Sequence, residues 1–276
     1  MKIFFASNPT DFKIYTTDRI REDFLVENLM TLNEINLAYS HFDRMIIGGV
    51  VPLDSLISLT NPEELKANYF LERREMGVIN TGGDGFVEID EISYNLSNSE
   101  CIYIPKGTQK VTFGSDNNEN PAKFYICSTP AHSAFPIQTM NMTEASPVEL
   151  GNNENANQRT IYKYIHNEGI KSCQLVMGLT KFKEGSIWNS VPPHTHTRRM
   201  EAYFYFDLPK SASVFHFMGQ PQETRHLILG NEQAVISPPW SVHFGVGTAS
   251  YSFIWAMAGE NKEFTDMDGV SVRDLR

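Results

Sequence analysis

Three histidines and one glutamate in the second half of the chain constrain its fold more than any other feature. His194 and His196 are separated by one residue, Glu201 follows His196 by five positions, and His243 comes much later. On an extended strand both imidazoles project from one face, whereas a regular strand would turn Glu201 to the other face, so a bulge or bend must intervene. The interval from Glu201 to His243 has room for two or three strands. The spacing therefore predicts an antiparallel barrel in which the four side chains meet at one metal site with N and O ligands.

The alternative for each histidine is an ordinary polar role. An isolated histidine is more often a hydrogen-bonded polar residue than a ligand, and an HxH pair can lie on the solvent face of a strand. Here the neighbouring sequence favours ligation, because the proline-bearing segment 191–193 precedes the pair and the aromatic run 202–206 follows it. The third histidine comes after the proline turn at 238–239. We therefore predict His194, His196, Glu201 and His243 as metal ligands.

Most other segments are short, alternating or aromatic, and are bounded by Gly, Asn and Pro. This pattern is typical of a β-sandwich or barrel. The predicted strands include residues 85–89, 101–104, 110–113, 234–236 and 252–255. We expect a mainly β fold with a few short helices.

Two helices are predicted in the first half. Thr17 and Asp18 can cap a short helix that places Ile20, Phe24 and Leu25 on one face. A second helix is indicated at 61–64, where Asn would be the cap, Pro would fit the first turn and Glu could reach back to the cap. The polar stretch 146–159 is the best candidate for a domain junction, which divides the chain into residues 1–150 and 151–276.

The metal pattern has a counterpart among known proteins. HxHx4E followed by the proline-bearing segment 238–243, which ends in His243, resembles the two motifs of the cupin superfamily, although the glycine that is usual in the second motif is absent. More narrowly, the chain resembles the 5-keto-4-deoxyuronate isomerase family, the 4-deoxy-L-threo-5-hexosulose-uronate ketol-isomerases. The phrases that carry this resemblance extend over nearly the whole chain: YSHFDR at 39–44, FLERRE at 70–75, PAKFY at 121–125, GQPQETRH at 219–226 and VRDLR at 272–276.

The resemblance implies a bicupin whose first barrel has lost its metal site. Segment 102–110 follows the second cupin motif, but Lys110 takes the place of the histidine. If Glu75 is placed on Glu201, Asn68 and Phe70 fall where the histidine pair would be, and neither an amide nor a phenyl ring supports a strong site. We therefore expect an N-terminal barrel without metal over 1–150 and a metal-binding barrel over 151–276. The alternative is that PxGxxK is only a common turn.

The resemblance also implies an activity. It is the isomerisation of 5-keto-4-deoxyuronate to 3-deoxy-D-glycero-2,5-hexodiulosonate in pectin and uronate degradation, with one Zn²⁺ per subunit, no redox cofactor and a homo-oligomer, a hexamer in the family. The ligands alone leave iron(II), manganese and nickel open. They also leave open an iron(II)-dependent cupin dioxygenase and a non-catalytic sugar-binding cupin. The general base and the substrate-binding residues stay unassigned, since Arg198, Arg199 and Arg225 could hold a carboxylate or form surface salt bridges.

Composition narrows the partners and the location. A formal net charge of −10 argues against a nucleic-acid surface, which needs clustered Lys and Arg. The three cysteines, Cys101, Cys127 and Cys173, have no framework spacing and indicate reduced thiols. The apolar run at 3–6 is too short for a signal sequence, and no stretch approaches the ~20 apolar residues of a membrane span. We expect a cytoplasmic protein that acts on a small molecule, with no membrane or nucleic-acid partner.

Overall fold

The first half is built from two sheets. In the computed structural model, which describes residues 1–263 and 265–276, nearly every element is a β-strand. The larger sheet has seven strands in the spatial order β1 (Lys2–Phe4), β3 (Ile35–Ser40), β4 (Ile46–Val50), β11 (Phe124–Pro130), β6 (Arg74–Asn80), β9 (Cys101–Ile104) and β12 (Gln138–Met140). The smaller sheet has four strands in the order β5 (Ile57–Ser58), β10 (Val111–Ser115), β7 (Gly85–Ile89) and β8 (Ile92–Leu96).

The second half repeats this plan. Its larger sheet has the order β13 (Val148–Leu150), β14 (Arg159–Ile165), β15 (Val176–Phe182), β23 (Ser252–Gly259), β18 (Arg199–Phe206), β21 (Gln233–Ser237) and β2 (Leu25–Val26). Its smaller sheet has the order β16 (Trp188–Asn189), β22 (Val242–Gly247), β19 (Val214–Gln220) and β20 (Glu223–Leu229). The short strands β17 (His194–Thr195) and β24 (Asp268–Gly269) pair separately. The mainly β prediction is confirmed, and the shared strand order fits two copies of one barrel.

Strand pairing crosses the predicted division at residue 150. Strand β2, from the first 26 residues, pairs with β21 at the edge of the second half's sheet. Strand β13, which ends at Leu150, pairs with β14 of the second half. The division at 150 therefore stays a prediction, and the N-terminal segment contributes to both halves.

Strand alternation separates the barrel interior from the contact between the halves. Along β18, Tyr203 and Tyr205 pack in the cluster that fills the second barrel. Ala202 and Phe204 pack in a different cluster, shared with residues of the first half. Successive side chains of a strand point to opposite faces, so one strand serves both layers. The ring of Phe204 stacks on that of Tyr125 with centroids 4.4 Å apart, which joins the two large sheets.

Glu75 lies in this contact layer and not in a barrel. Its carboxylate is fully buried and accepts five hydrogen bonds of 2.7–3.2 Å. The donors are the hydroxyls of Tyr103 and Thr129 and the backbone N–H groups of Cys173, Gln174 and Leu175. The alignment of Glu75 with Glu201 was therefore wrong, because β6 turns Glu75 toward the second half while its neighbour Met76 fills the first barrel.

The helical predictions were partly wrong. The first helix is present as α2 (Thr17–Phe24), with Thr16 as the cap one residue earlier than predicted, and Ile20 and Phe24 are buried. A further short helix, α1 (Pro9–Phe12), was not predicted. At 61–64 there is no α-helix but a 3₁₀ turn, Glu63–Leu65.

The reason for the missing helix is local. Lys66 adopts a left-handed conformation with φ of 47° that ends the turn. The guanidinium of Arg73 donates to the carbonyls of Leu65 and Lys66, which a longer helix would need for its own bonds. A second 3₁₀ turn covers Val272–Asp274.

The strand predictions agree with the structure more closely than the helix predictions do. The segments predicted at 85–89 and 101–104 match β7 and β9, and the other three fall within a residue of a strand start or inside one. In the described residues, no helix is both long and apolar enough to cross a membrane.

Candidate metal centre

The four predicted ligands come together inside the second barrel. Their ligand atoms all lie within 4.8 Å of one another. Oε2 of Glu201 lies 2.8 Å from Nε2 of His196 and 3.0 Å from Nε2 of His243. Nε2 of His243 lies 3.1 Å from Nε2 of His194. Three side chains are nearly inaccessible to solvent, and His194 is half-buried at the opening.

A turn brings Glu201 onto the side of the histidines. His194 lies in β17, whereas His196 lies just beyond it, so the pair does not share one regular strand as predicted. The chain turns at 197–198, and the N–H of Arg199 donates to the carbonyl of His196 at 3.1 Å. Strand β18 then starts at Arg199 and directs Glu201 inward. The predicted bend between His196 and Glu201 is confirmed.

The last ligand arrives from the opposite sheet. His243 lies on β22, and three strands, β19 to β21, separate it from β18 in the chain. Because β22 belongs to the four-stranded sheet and β18 to the seven-stranded one, the site lies between the two sheets of the barrel. At the opening, β24 pairs with β17, and the N–H of Val270 donates to the carbonyl of Pro193. The C-terminal segment therefore holds the strand that carries His194.

Backbone carbonyls orient two of the imidazoles. Nδ1 of His196 lies 3.1 Å from the carbonyl oxygen of Arg199, and Nδ1 of His243 lies 3.3 Å from that of Ser241. A carbonyl oxygen only accepts, so each Nδ1 carries the proton and each Nε2 presents a lone pair. These lone pairs point at the carboxylate oxygen of Glu201 with no proton between them. A cation among them turns this repulsive arrangement into an attractive one.

Burial and neighbouring charges favour the protonation states in which these side chains can bind a metal. Burial and the adjacent His243 lower the pKa of His194 to about 3, and burial also lowers the pKa of His243. Burial by itself would raise the pKa of Glu201, but the contacts with His243 and His196 outweigh it and hold that pKa well below its usual range. At neutral pH His194 and His243 are therefore neutral and Glu201 is ionised, which are the forms that bind metals.

The donor set fits a divalent metal. Three imidazole nitrogens and one carboxylate oxygen at bonds of ~2.1 Å would stand ~3.3 Å apart in a tetrahedral site. The contacts of 2.8–3.1 Å are close to that separation. In the described residues, this is the only group of three or more His, Cys, Asp or Glu side chains with such geometry.

The three arginines that could have held a substrate carboxylate or formed salt bridges have structural partners. Arg198 forms an ion pair with Asp266, and Arg225 forms one with Glu223 at 2.7 Å. Arg199 is fully buried and donates to the side chain of Asn261 and to the carbonyls of Glu263 and Asp266. These three side chains hold loops in place.

The remaining predicted candidates have separate roles. His216 is buried and hydrogen-bonded through Nδ1 to the hydroxyl of Tyr205, which agrees with a core role. Trp240 packs against Phe12 and Phe24 and so covers the N-terminal helices, whereas Tyr203 lines the pocket beside the ligands. His41, His132 and His226 are exposed and outside the ligand cluster.

Arg159 is the pocket residue that sequence reasoning missed. It begins β14 and lines the same pocket as His194, Glu201 and Tyr203. Its guanidinium donates to the carbonyl of Asn157 at 2.8 Å and forms no ion pair with a described residue. It was missed because it ends the polar stretch 146–159, which resembled a linker, and no motif marks it.

The first-half residues that sequence reasoning placed on the three histidines lie in other surroundings. Lys110 is exposed and lies 3.9 Å from Glu88, and Asn68 is exposed and binds the carboxylate of Glu72. Phe70 is buried in the hydrophobic cluster of the first barrel.

Comparison with known proteins gives long matches at high identity. The model of the KduI/IolB family matches residues 24–271. A 4-deoxy-L-threo-5-hexosulose-uronate ketol-isomerase of Shouchella clausii is 52% identical over 276 residues and covers 100% of both chains. A relative of the same name from Halalkalibacterium halodurans is 53% identical over 272 residues, which is 99% of each chain.

Solved structures agree on the fold. An IolB-like protein from Salmonella typhimurium superposes with a TM-score of 0.73 at 13% identity, covering 90% of this chain and 96% of that one. A mutant of Bacillus subtilis oxalate decarboxylase gives a TM-score of 0.57 at 12% identity, covering 83% of this chain and 71% of that one. At these identities the likeness extends to the fold alone.

Proposed function

The chain belongs to the KduI/IolB family, and on this premise we propose that it is a metal-dependent ketol-isomerase acting on 5-keto-4-deoxyuronate. The reaction gives 3-deoxy-D-glycero-2,5-hexodiulosonate in the degradation of pectin and other uronates. The observation that carries the proposal is the convergence of three imidazoles and the carboxylate of Glu201, whose ligand atoms lie within 4.8 Å of one another in a largely buried pocket.

The residues that would hold the metal are His194, His196, Glu201 and His243. When bound, the metal supplies a Lewis acid that polarises the substrate carbonyl and acidifies the adjacent C–H. We propose Zn²⁺, one per subunit, on the strength of the family and of the N/O ligand set.

Arg159 is the proposed partner of the substrate carboxylate. A uronate bound beside the ligands must place its own carboxylate against a compensating group, and a guanidinium offers two parallel donors. Arg159 is half-buried and lines this pocket without a protein carboxylate as partner. Burial lowers its pKa, but the arginine stays cationic at neutral pH.

Tyr203 is the proposed donor beside the reacting carbons. Burial and the charge of Glu201 raise the pKa of its hydroxyl well above the usual value, so the hydroxyl stays protonated and can donate to a substrate oxygen. The group that carries the proton between the two carbons stays open, with Glu201 as one candidate.

We also propose that the enzyme acts in the cytoplasm as a homo-oligomer. Three cysteines without a disulfide support the first point. The family resemblance supports the second and suggests a hexamer, which light scattering of the purified protein would measure.

The deciding experiment uses the product of an unsaturated-uronate hydrolase as substrate. We expect NMR to show loss of the aldehyde signal and growth of the ketose signal, with no oxygen consumed. A chelator should stop the conversion and added Zn²⁺ should restore it. Absence of conversion by the metal-loaded protein would end the isomerase assignment.

A further inference from the structure

The first half contains a cavity that the proposed reaction does not use. Its volume is about 480 Å³, within the range of small-molecule sites. Three arginines line it, Arg44, Arg73 and Arg74, together with the rings of Tyr39 and Phe70. It shares no lining residue with the pocket of the metal ligands. Two of the phrases that carry the family resemblance, 39–44 and 70–75, supply these side chains.

Arg74 is a buried cation without a charged partner. Its side chain is nine-tenths buried, and its guanidinium donates only to neutral acceptors: the carbonyl of Arg44 at 2.6 Å, and the carbonyl and hydroxyl of Ser128 at 2.7 and 3.2 Å. Burial lowers the pKa of Arg74 to about 10, so the charge persists at neutral pH. Proteins normally pair a buried charge because desolvation is costly.

The other two arginines of the cavity add positive charge. Arg73 is exposed and donates to the carbonyls of Leu65 and Lys66. Arg44 is exposed as well, and across residues 1–263 and 265–276 none of the three arginines forms an ion pair with Asp or Glu. Glu64 also lines the cavity, but it is exposed and not paired with them.

Arg199 begins β18 as Arg74 begins β6, and these two strands hold the same place in their seven-stranded sheets. In the second half, however, the arginines have negatively charged neighbours. Arg198 pairs with Asp266, and the charge of Glu201 acts on buried Arg199. The first half therefore leaves unsatisfied a charge that its counterpart neutralises. Among the described residues no Asp or Glu forms an ion pair with Arg74, which leaves this charge open to an anion from outside the chain.

We propose that this cavity binds a small organic carboxylate. Its carboxylate would lie against Arg74 and between Arg44 and Arg73, because guanidinium groups match the planar carboxylate with paired donors. Its organic part would lie against the half-buried ring of Tyr39, which an inorganic anion would leave in contact with water. Since the cavity is separate from the metal centre, the ligand binds at a second site on each subunit.

The test measures binding of D-glucuronate to the full-length, metal-loaded protein by calorimetry. D-glucose, which lacks the carboxylate, tests the need for charge. Inorganic phosphate, which lacks the sugar carbons, tests the need for the organic part. The variant is the double substitution Arg44→Gln and Arg73→Gln, since both side chains are exposed and the fold should be kept. Arg159→Gln is the matched control at the metal pocket.

We expect one equivalent of D-glucuronate to bind at this cavity and its binding to persist in Arg159→Gln. In the double variant its affinity should fall by about tenfold or more. D-glucose should not bind. Arg74→Met, checked for folding by circular dichroism, should abolish that equivalent. Three results would overturn the proposal: an unchanged affinity in the double variant, loss of all binding in Arg159→Gln, or saturable binding of phosphate without D-glucuronate.

Discussion

At the scale of single residues, the metal pocket combines ligands that a motif reveals with one cation that it does not. His194, His196, Glu201 and His243 were identifiable because metal ligation demands particular side chains at particular spacings. Arg159 reaches the same pocket through the strand order, since only β15 and β23 separate β14 from β18 in the sheet. We therefore expect substitution of a proposed ligand and substitution of Arg159 to have different effects.

Replacing the carboxylate ligand should remove the metal. In Glu201→Gln the neutral amide is a weaker ligand, and its N–H₂ group would face the lone pairs of His196 and His243. We expect metal affinity to fall by on the order of 100-fold or more, with loss of turnover, measured by elemental analysis and by NMR assay. The exposed Glu260→Gln is the control. Full metal content with no turnover would instead identify Glu201 as the proton carrier.

Replacing Arg159 should weaken substrate binding and leave the metal in place. A charge-assisted hydrogen bond contributes about 1.5–3 kcal/mol, so Arg159→Gln should lower kcat/KM by roughly 10- to 100-fold, mostly through KM. Arg159→Lys should recover part of the loss. Arg225→Gln, whose partner is Glu223, should change neither constant. Unchanged kinetics in Arg159→Gln would exclude this role.

At the scale of elements, the site depends on loops that buried carboxylates hold. The carboxylate of Asp43 accepts from the N–H of Met200 at 2.7 Å, next to Glu201 in β18. Glu75 holds the segment before β15 through three backbone N–H groups. Sequence patterns identified most strands because alternation and turn residues are local signals. They did not show which carboxylates anchor loops, because their donors are about 100 and 157 positions away.

Glu75→Gln tests this anchoring. An amide can accept at one atom only, and its N–H₂ group would face the donors of Cys173 and Tyr103. We expect a loss of about 3 kcal/mol in the free energy of unfolding, measured by urea titration. In the control Glu72→Gln, the affected bonds are the two to exposed Asn68, so the loss should be much smaller than in Glu75→Gln. Equal midpoints for the two variants would contradict the anchoring role.

At the scale of the whole molecule, the two halves form one folded unit. The cluster between the large sheets contains residues of both halves, including the stacked rings of Tyr125 and Phe204. The N-terminal helices α1 and α2 pack on the second barrel through Phe12 and Phe24. The two C-terminal family phrases also meet, since the N–H and hydroxyl of Thr224 donate to the terminal carbonyl of Arg276.

Thiol labelling reports on the contact between the halves. Cys101 and Cys127 are buried in that contact, and burial raises the pKa of Cys127 to about 12, whereas Cys173 is half-buried. We expect one fast thiol and two slow ones with Ellman's reagent in the native protein, and three fast thiols in denaturant. Phe204→Ala should speed the slow pair, because it removes about 3–5 kcal/mol of packing. Three equally fast thiols in the native protein would show that the halves separate readily.

The chain by itself determined which four side chains are proposed as ligands, and it determined the mainly β fold. Both follow from short-range chemistry: which side chains bind metals, which spacings place them on one face, and which residues end strands. Only the tertiary structure decided that Glu75 anchors the other half, that Arg159 lines the proposed metal pocket, and that Arg74 is buried without an acidic partner among the described residues. Those outcomes depend on which distant strands become neighbours, and burial and charge pairing exist only once these strands have packed.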